Sequence, residues 1–185
     1  MYGLVKTKRQ QKNFEITWEF FCDQFGWQND PYAENGCRYN LYLLGKCFYR
    51  RNKVIGTIEF IPYDPKNPNS TVEKRFSFSK FDEIRLYHNR IWEIDKLCIH
   101  KDYQRKGHFH DFLQILYDHA LEYKPKFYVA LIEKKLYRML RISFGQRVRQ
   151  SGDALVGPTT ELIPTVIEIS EMMNDKEYVK KVLEN

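Results

Sequence analysis

The stretch LCIHKDYQRKGHFHDFL, residues 97 to 113, runs from a hydrophobic strand through a short basic turn with one glycine and leaves that turn as a helix. The strand is RIWEIDKLCI, and the helix shows itself by spacing: Phe109, Phe112, Leu113, Leu116 and Ala120 recur at i, i+3, i+4, i+7 and i+11, one apolar face that ends before Pro125. Backbone N–H groups in the first turn of a helix have no partner inside it and point along its axis, so a loop that feeds a helix start can hold an anion. Here the step runs from Gln104 to Phe109. Arg105 and Lys106 add positive charge, and Gly107 leaves the main chain open to a ligand. Phosphate is the anion that such a turn suits.

The flanks extend the pattern. KFYVALI reads as a strand, and strand, helix, strand in succession implies two parallel neighbours joined by a crossover. EKKLYRMLRISFG reads as a helix closed by Gly145, VRQSGDA and IPTVIEIS as two further strands, and EMMNDKEYVKKVL as a short polar helix. Upstream, NFEITWEFFCDQFGW is an aromatic helix, and YNLYLLGKCFYRRNKVIGTIEFIPY gives two strands with a turn near Arg51 to Lys53, an antiparallel hairpin. YDPKNPNSTVEK, residues 63 to 74, reads as an exposed loop between two halves of one domain. The expected class is α+β: a mixed, mostly antiparallel sheet with a central parallel strand pair, flanked by helices, in a single domain over residues 1 to 185.

Composition agrees with a folded core and an acidic partner. Of the 185 residues 43% are hydrophobic and 16% aromatic, and the formal charge is +6. Such an excess favours a ligand that carries phosphates or carboxylates. Cys22, Cys37, Cys47 and Cys98 are widely spaced without a CxxC pair, which is the pattern of reduced thiols. The first residues have no apolar core of a signal peptide and the chain has no run of 18 apolar residues, so a cytoplasmic protein without a membrane partner is expected. His108 and His110 stand two apart at a helix start, on different faces and without further ligands at zinc spacing, so no metal is expected. There is no G-x-S-x-G elbow and no P-loop.

IHKDYQRKGHFHDFL resembles the central motif of the GNAT superfamily of N-acetyltransferases, in which a strand ending V-x-P-x-Y is followed by Q/R-x-x-G-x-G/A at a helix start. Ile99, Tyr103, Gln104 and Gly107 match, whereas Lys101 replaces the usual proline and Phe109 the second small residue. The resemblance implies that the main chain at Leu97 and Ile99 and the turn formed by Gln104, Arg105, Lys106, Gly107, His108 and Phe109 hold acetyl-CoA or another acyl-CoA. In the same family a tyrosine of the fourth helix sits close to the thioester sulfur; Tyr137 is the match, with Tyr128 as second choice. A neutral phenol can protonate a departing thiolate.

Over residues 14 to 170 the chain also resembles the acyl-homoserine-lactone synthases and the N-acyl amino acid synthases, through FGWQND, YLLGK, VIGTIEFIP, WEIDKLCI and the tail FGQRVRQSGDALVGPTTELIPTVIEI. It departs from them at the S-adenosylmethionine site: Ala33 and Gly36 stand where those synthases carry acids, Glu59 where they carry arginine, and E-x-S-R has become Glu93, Ile94, Asp95, Lys96. Alternation along the strand places Glu93, Asp95, Leu97 and Ile99 on one face. Both resemblances imply Glu93 as the base, with the neighbouring Asp95 raising its pKa. The expected function is transfer of an acyl group, acetyl by expectation, from CoA to a primary amine of a small molecule or peptide. The alternatives are a long-chain N-acyltransferase fed by an acyl carrier protein, and a catalytically silent module that binds CoA or nucleic acid. For nucleic acid the only support is the basic stripe Lys134, Arg138, Arg141, without a recognised binding motif.

Overall fold

A computed structural model of the chain describes residues 1–43 and 53–184. It opens with β1 (Tyr2–Leu4) and α1 (Lys8–Phe25). Thr7 starts α1 through a reciprocal capping box, its hydroxyl accepting from the Gln10 amide while the Gln10 side chain accepts from the Thr7 amide, and Gly26 ends it at φ 67. β2 (Cys37–Leu43) and β3 (Lys53–Pro62) pair antiparallel, with Cys37 opposite Phe60 and Leu43 opposite Lys53. Arg51 and Asn52 of the expected turn lie outside the described residues. After α2 (Asp82–Leu86) come β4 (Ile91–Ile99), α3 (Phe109–Tyr123), β5 (Phe127–Glu133) and α4 (Lys134–Phe144). The chain closes with β6 (Val148–Gln150), β7 (Leu155–Val156), β8 (Glu161–Ile167), α5 (Ile169–Asn174) and α6 (Lys176–Glu184).

The strands form one sheet in the order β1-β2-β3-β4-β5-β8-β6, with β7 beside β8. Among the described strands β4 and β5 are the parallel pair and all other neighbours are antiparallel, as the sequence predicts. The apolar face of α3, through Phe112, Leu113 and Leu116, joins Phe60, Ile94 and Tyr128 of the sheet and Leu140 and Phe144 of α4 in the larger core. On the opposite face Tyr63, Val72, Phe78 and Ile84 cover Ile91, Phe127, Val129 and Val166.

Residues 63 to 74 are not the exposed loop that their prolines and asparagines suggest. Tyr63, Ser70 and Val72 are buried, because the segment folds back over the sheet and is pinned there. The Tyr63 hydroxyl and the Phe78 amide both donate to Glu73, and the Ser70 hydroxyl donates to Glu93. The last helix also differs, dividing into α5 and α6 where Asp175 accepts from the Tyr178 amide and starts a new turn. β1, β7 and α2 are too short to leave a periodic signal and are not foreseen.

Candidate functional site

β4 and β5 pair only from Ile91 to Glu93 and from Phe127 to Val129. Beyond that point the two parallel strands part, and a cavity of about 430 Å³ occupies the gap. Its walls include Ile94 to Ile99 of β4 and Ala130 to Glu133 of β5, together with Leu136 and Met139 of α4. One end meets the turn before α3, at Gln104, Arg105, Gly107 and Phe109. The other reaches Trp18, Phe21 and Trp27 near α1 and the segment that carries Thr71 and Arg75.

The turn has the backbone of an anion cradle. Arg105 lies at φ 61 and Gly107 at φ 85, so left-handed residues alternate with ordinary ones, the backbone pattern from which anion-binding concavities of N–H groups are built. The Gln104 side chain donates to the Ile99 carbonyl and ties the turn to the strand end at 3.0 Å. A Cβ on Gly107 would meet nothing within 4 Å, so the glycine is required by its φ and the space above it is open. His108 precedes the helix without a capping hydrogen bond from its side chain. Phe109, which replaces a small residue of the resembled motif, turns its ring toward the larger core. Lys106 and His108 are not in the cavity wall: Lys106 lies over the Tyr103 ring and His108 pairs with Asp111. The turn therefore fits a pyrophosphate by its amides, its open glycine and Arg105.

The expected common face of Glu93, Asp95, Leu97 and Ile99 does not form. Between the pairs Thr57–Cys98 and Glu59–Asp95, β3 contributes Ile58 alone while β4 contributes both Lys96 and Leu97, and Lys96 sits at φ 48. This bulge reverses the alternation. Glu93 and Asp95 keep the face toward α1 and residues 70 to 73, whereas Leu97 and Ile99 turn to the α3 side and pack on the larger core. Because residues of both faces line it, the cavity passes through the sheet.

The bulge is fixed by charge. Lys96 is 1% exposed, and its ammonium lies 2.9 Å from Asp95 and 3.2 Å from Glu59, which Arg38 also holds at 2.7 Å. Burial opposes the charge on Lys96, but Asp95 and Glu59 outweigh it and raise its pKa. Burial raises the pKa of Glu59 against the pull of Lys96 and Arg38. The E-x-S-R position thus still carries a cation, now bound by a glutamate of β3. The two departures from the resembled pattern, Glu59 and Lys96, are thus one ion pair across β3 and β4.

Of the two candidate acids, Asp95 lines the cavity and Glu93 lies behind its wall. Glu93 is 1% exposed, accepts from the Ser70 hydroxyl at 2.7 Å through Oε1, and has a second oxygen, Oε2, with no partner among the described residues. Burial pushes its pKa up to about 7, with Ser70 opposing and the charges of Asp95 and Glu73 assisting.

Lys135, Leu136 and Met139 of α4 line the cavity, whereas Tyr137, which packs against the larger core, does not. Tyr128 is buried deeper, with its hydroxyl 2.7 Å from Nδ1 of His119. The basic stripe is partly occupied within the chain: Lys134 pairs with Glu161, and Arg141 donates to the carbonyls of Gly145 and Val148. Among the described residues no group of three or more His, Cys, Asp or Glu is placed to hold a metal, and no helix is long and apolar enough to cross a membrane.

No family model matches the chain, and no curated protein matches it by sequence. Solved structures do match. FeeM, an N-acyl amino acid synthase from uncultured soil microbes, superposes with a TM-score of 0.68 over 92% of each chain at 12% identity. The CoA-dependent acyl-homoserine lactone synthase MesI gives 0.63 over 100% of this chain and 96% of its own at 15% identity. A variant of the spermidine N-acetyltransferase SpeG from Vibrio cholerae gives 0.56 over 95% and 99% at 10% identity. The fold is that of the GNAT N-acyltransferases.

Proposed function

We propose that the chain is an acyl-CoA-dependent N-acyltransferase that acts on a primary amine of a small molecule or peptide. The observation that carries this reading is the cavity through the parted strands, with a phosphate-suited turn at one end and a carboxylate wall at the other. An acyl thioester supplies a carbonyl carbon open to attack and a thiolate as leaving group. Arg105 and the amides from Gln104 to Phe109 bind the pyrophosphate, and the edge of β4 released from β5 orients the pantetheine arm. Asp95 receives the acceptor's ammonium at the cavity wall. Glu93, ionised in part near neutrality and with Oε2 unpartnered among the described residues, lies behind the wall and takes through an intervening water the proton that the amine must lose before it can attack. Tyr137 has no part in this reading, because it is not among the residues that line the cavity.

Acetyl is the first donor to test. A longer chain, delivered by CoA or by an acyl carrier protein, is the second reading, favoured by the apolar walls of a cavity of about 430 Å³. The experiment is thermal unfolding with and without CoA, followed by thiol release from acetyl- to decanoyl-CoA with a panel of amines. CoA at 100 times its Kd stabilises by about 2.7 kcal/mol. An unchanged melting temperature at millimolar CoA, with nucleic-acid binding that weakens in salt, supports the binding-module alternative instead.

A further inference from the structure

The inner face of α1 buries Phe14 and Cys22 and sets Trp18 and Phe21 on the cavity wall. On its outer face Arg9, Lys12, Ile16, Phe20 and Asp23 follow one another at spacings of three, four, four and three residues, a pattern symmetric about Ile16. All five are exposed, Ile16 at 53% and Phe20 at 43% even though one side of the Phe20 ring lies on His100 at 4.9 Å. At about 100° per residue they fall within an arc of roughly 80°, one seam along the helix.

The charges of this seam run against the helix. The first turn of α1 carries Lys8 and Arg9 and no acid, and the last turn carries Asp23 and no base. Aligned peptide dipoles make the first turn positive and the last negative, so both ends hold charge of the disfavoured sign. Among the described residues the side chains of Arg9, Lys12 and Asp23 make no hydrogen bond or ion pair, and Glu19 meets the Asn29 amide at 3.5 Å. A second α1 laid antiparallel on the first offsets this arrangement, because each basic, dipole-positive end then meets an acidic, dipole-negative one.

We propose that the outer face of α1 is a self-complementary docking surface for a second copy of the chain, joined as an antiparallel helix pair about a two-fold axis at Ile16. In that pairing Ile16 packs on its symmetry mate, Arg9 faces Asp23 of the second copy, and Lys12 faces Phe20 of the second copy with Glu19 beside it; every contact occurs twice. From Arg9 to Asp23 the helix is about 21 Å long, a strip that places the dimer in the small, reversible class of interfaces. Arg9 and Lys12 alone would also suit an anionic membrane, but Glu19 and Asp23 on the same face repel one. The surface lies outside the cavity, and the proposal stands apart from the acyltransferase reading.

The test is sedimentation velocity on the full chain from about 5 to 500 µM, where a reversible monomer–dimer equilibrium with a micromolar Kd is expected. The charges are then exchanged by halves. Arg9→Glu with Lys12→Glu makes the seam acidic throughout, and Glu19→Lys with Asp23→Lys makes it basic throughout. Each double variant alone should dimerise roughly 30-fold more weakly, since symmetry applies every reversal twice, whereas an equimolar mixture should recover affinity to within about tenfold of wild type. Ile16→Asp sets two like charges on the axis and should give a monomer. A wild-type chain that stays monomeric throughout, a dimer that survives unchanged in both double variants, or a mixture that fails to associate overturns the proposal. Binding of a monomeric chain to phosphatidylglycerol vesicles, lost in Arg9→Glu with Lys12→Glu, also overturns it and assigns the face to a lipid surface.

Discussion

Replacing Glu93 by glutamine tests both the environment and the role assigned to it. In the folded chain its pKa stands at about 7, against an ordinary 4.5. At 1.36 kcal/mol per pH unit, this difference corresponds to about 3 kcal/mol. The folded state binds the proton more tightly than the unfolded one, so this contribution to stability is fully present below pH 4.5 and is lost as pH rises through about 7. Glutamine keeps an acceptor for the Ser70 hydroxyl but does not titrate. The variant's absolute stability is shifted by its buried amide, so the informative quantity is the slope. Urea unfolding at pH 4.5 to 8 should show the gap between wild type and Glu93→Gln changing by about 3 kcal/mol in the variant's favour, which for a chain of this size is about 6 to 12 °C in Tm. Other titrating groups are common to both proteins and cancel in the difference. In the thiol-release assay kcat should fall about 100-fold at pH 8 while the CoA-induced melting shift persists. Parallel stability curves refute the buried, raised carboxyl, and full kcat from pH 6 to 9 refutes its role as proton acceptor.

Lys96→Met removes the cation that joins Asp95, Glu59 and, through Glu59, Arg38, and leaves buried carboxylate behind; urea unfolding should register a loss of about 3 to 5 kcal/mol, and a loss below about 1 kcal/mol contradicts the network. Gly107→Ala forces a Cβ into φ 85, so it should destabilise by about 1 to 2 kcal/mol and shrink the CoA-induced melting shift. His119 is stacked on Phe60 at 3.9 Å, and burial lowers its pKa to about 3 from 6.5. The stability it contributes is present above pH 6.5 and lost as pH falls toward 3, so the double variant His119→Phe, Tyr128→Phe, which removes both hydrogen-bonding partners, should lose less stability than wild type between pH 6 and 4.

The fold was legible where period and punctuation agree. The strand of β4, the apolar stripe from Phe109 to Ala120 and the strand of β5 each carry their own signal, and the crossover rule then makes β4 and β5 parallel neighbours. Segments stabilised by tertiary contacts were misread. Residues 63 to 74 have the prolines and asparagines of a solvated loop, yet Val72 and Ser70 are buried over the part of the α1-side sheet face that α1 itself leaves open. A single aspartate, Asp175, was enough to divide a helix whose composition is uniform.

The site shows the same division at finer scale. Gly107 and the charge beside it announce the turn, because a left-handed residue before a helix leaves a mark in the sequence. The bulge at Lys96 leaves none: lysine is neither a bulge former nor a core residue, and nothing local distinguishes WEIDKLCI from a strand of strict alternation. Its conformation follows from Glu59 and Arg38, which lie 37 and 58 positions upstream and meet Lys96 only once β2, β3 and β4 have paired. One extra residue then decides the chemistry. It turns Leu97 and Ile99 to the α3 side, beside the turn before α3, and leaves Glu93 and Asp95 on the α1 side, beside the Arg75–Asp30 pair. Without the bulge the carboxylates and the strand edge would share one face. With it, the proposed acyl donor and amine acceptor have separate faces of the sheet, and the gap between β4 and β5 is where the proposed reaction brings them together.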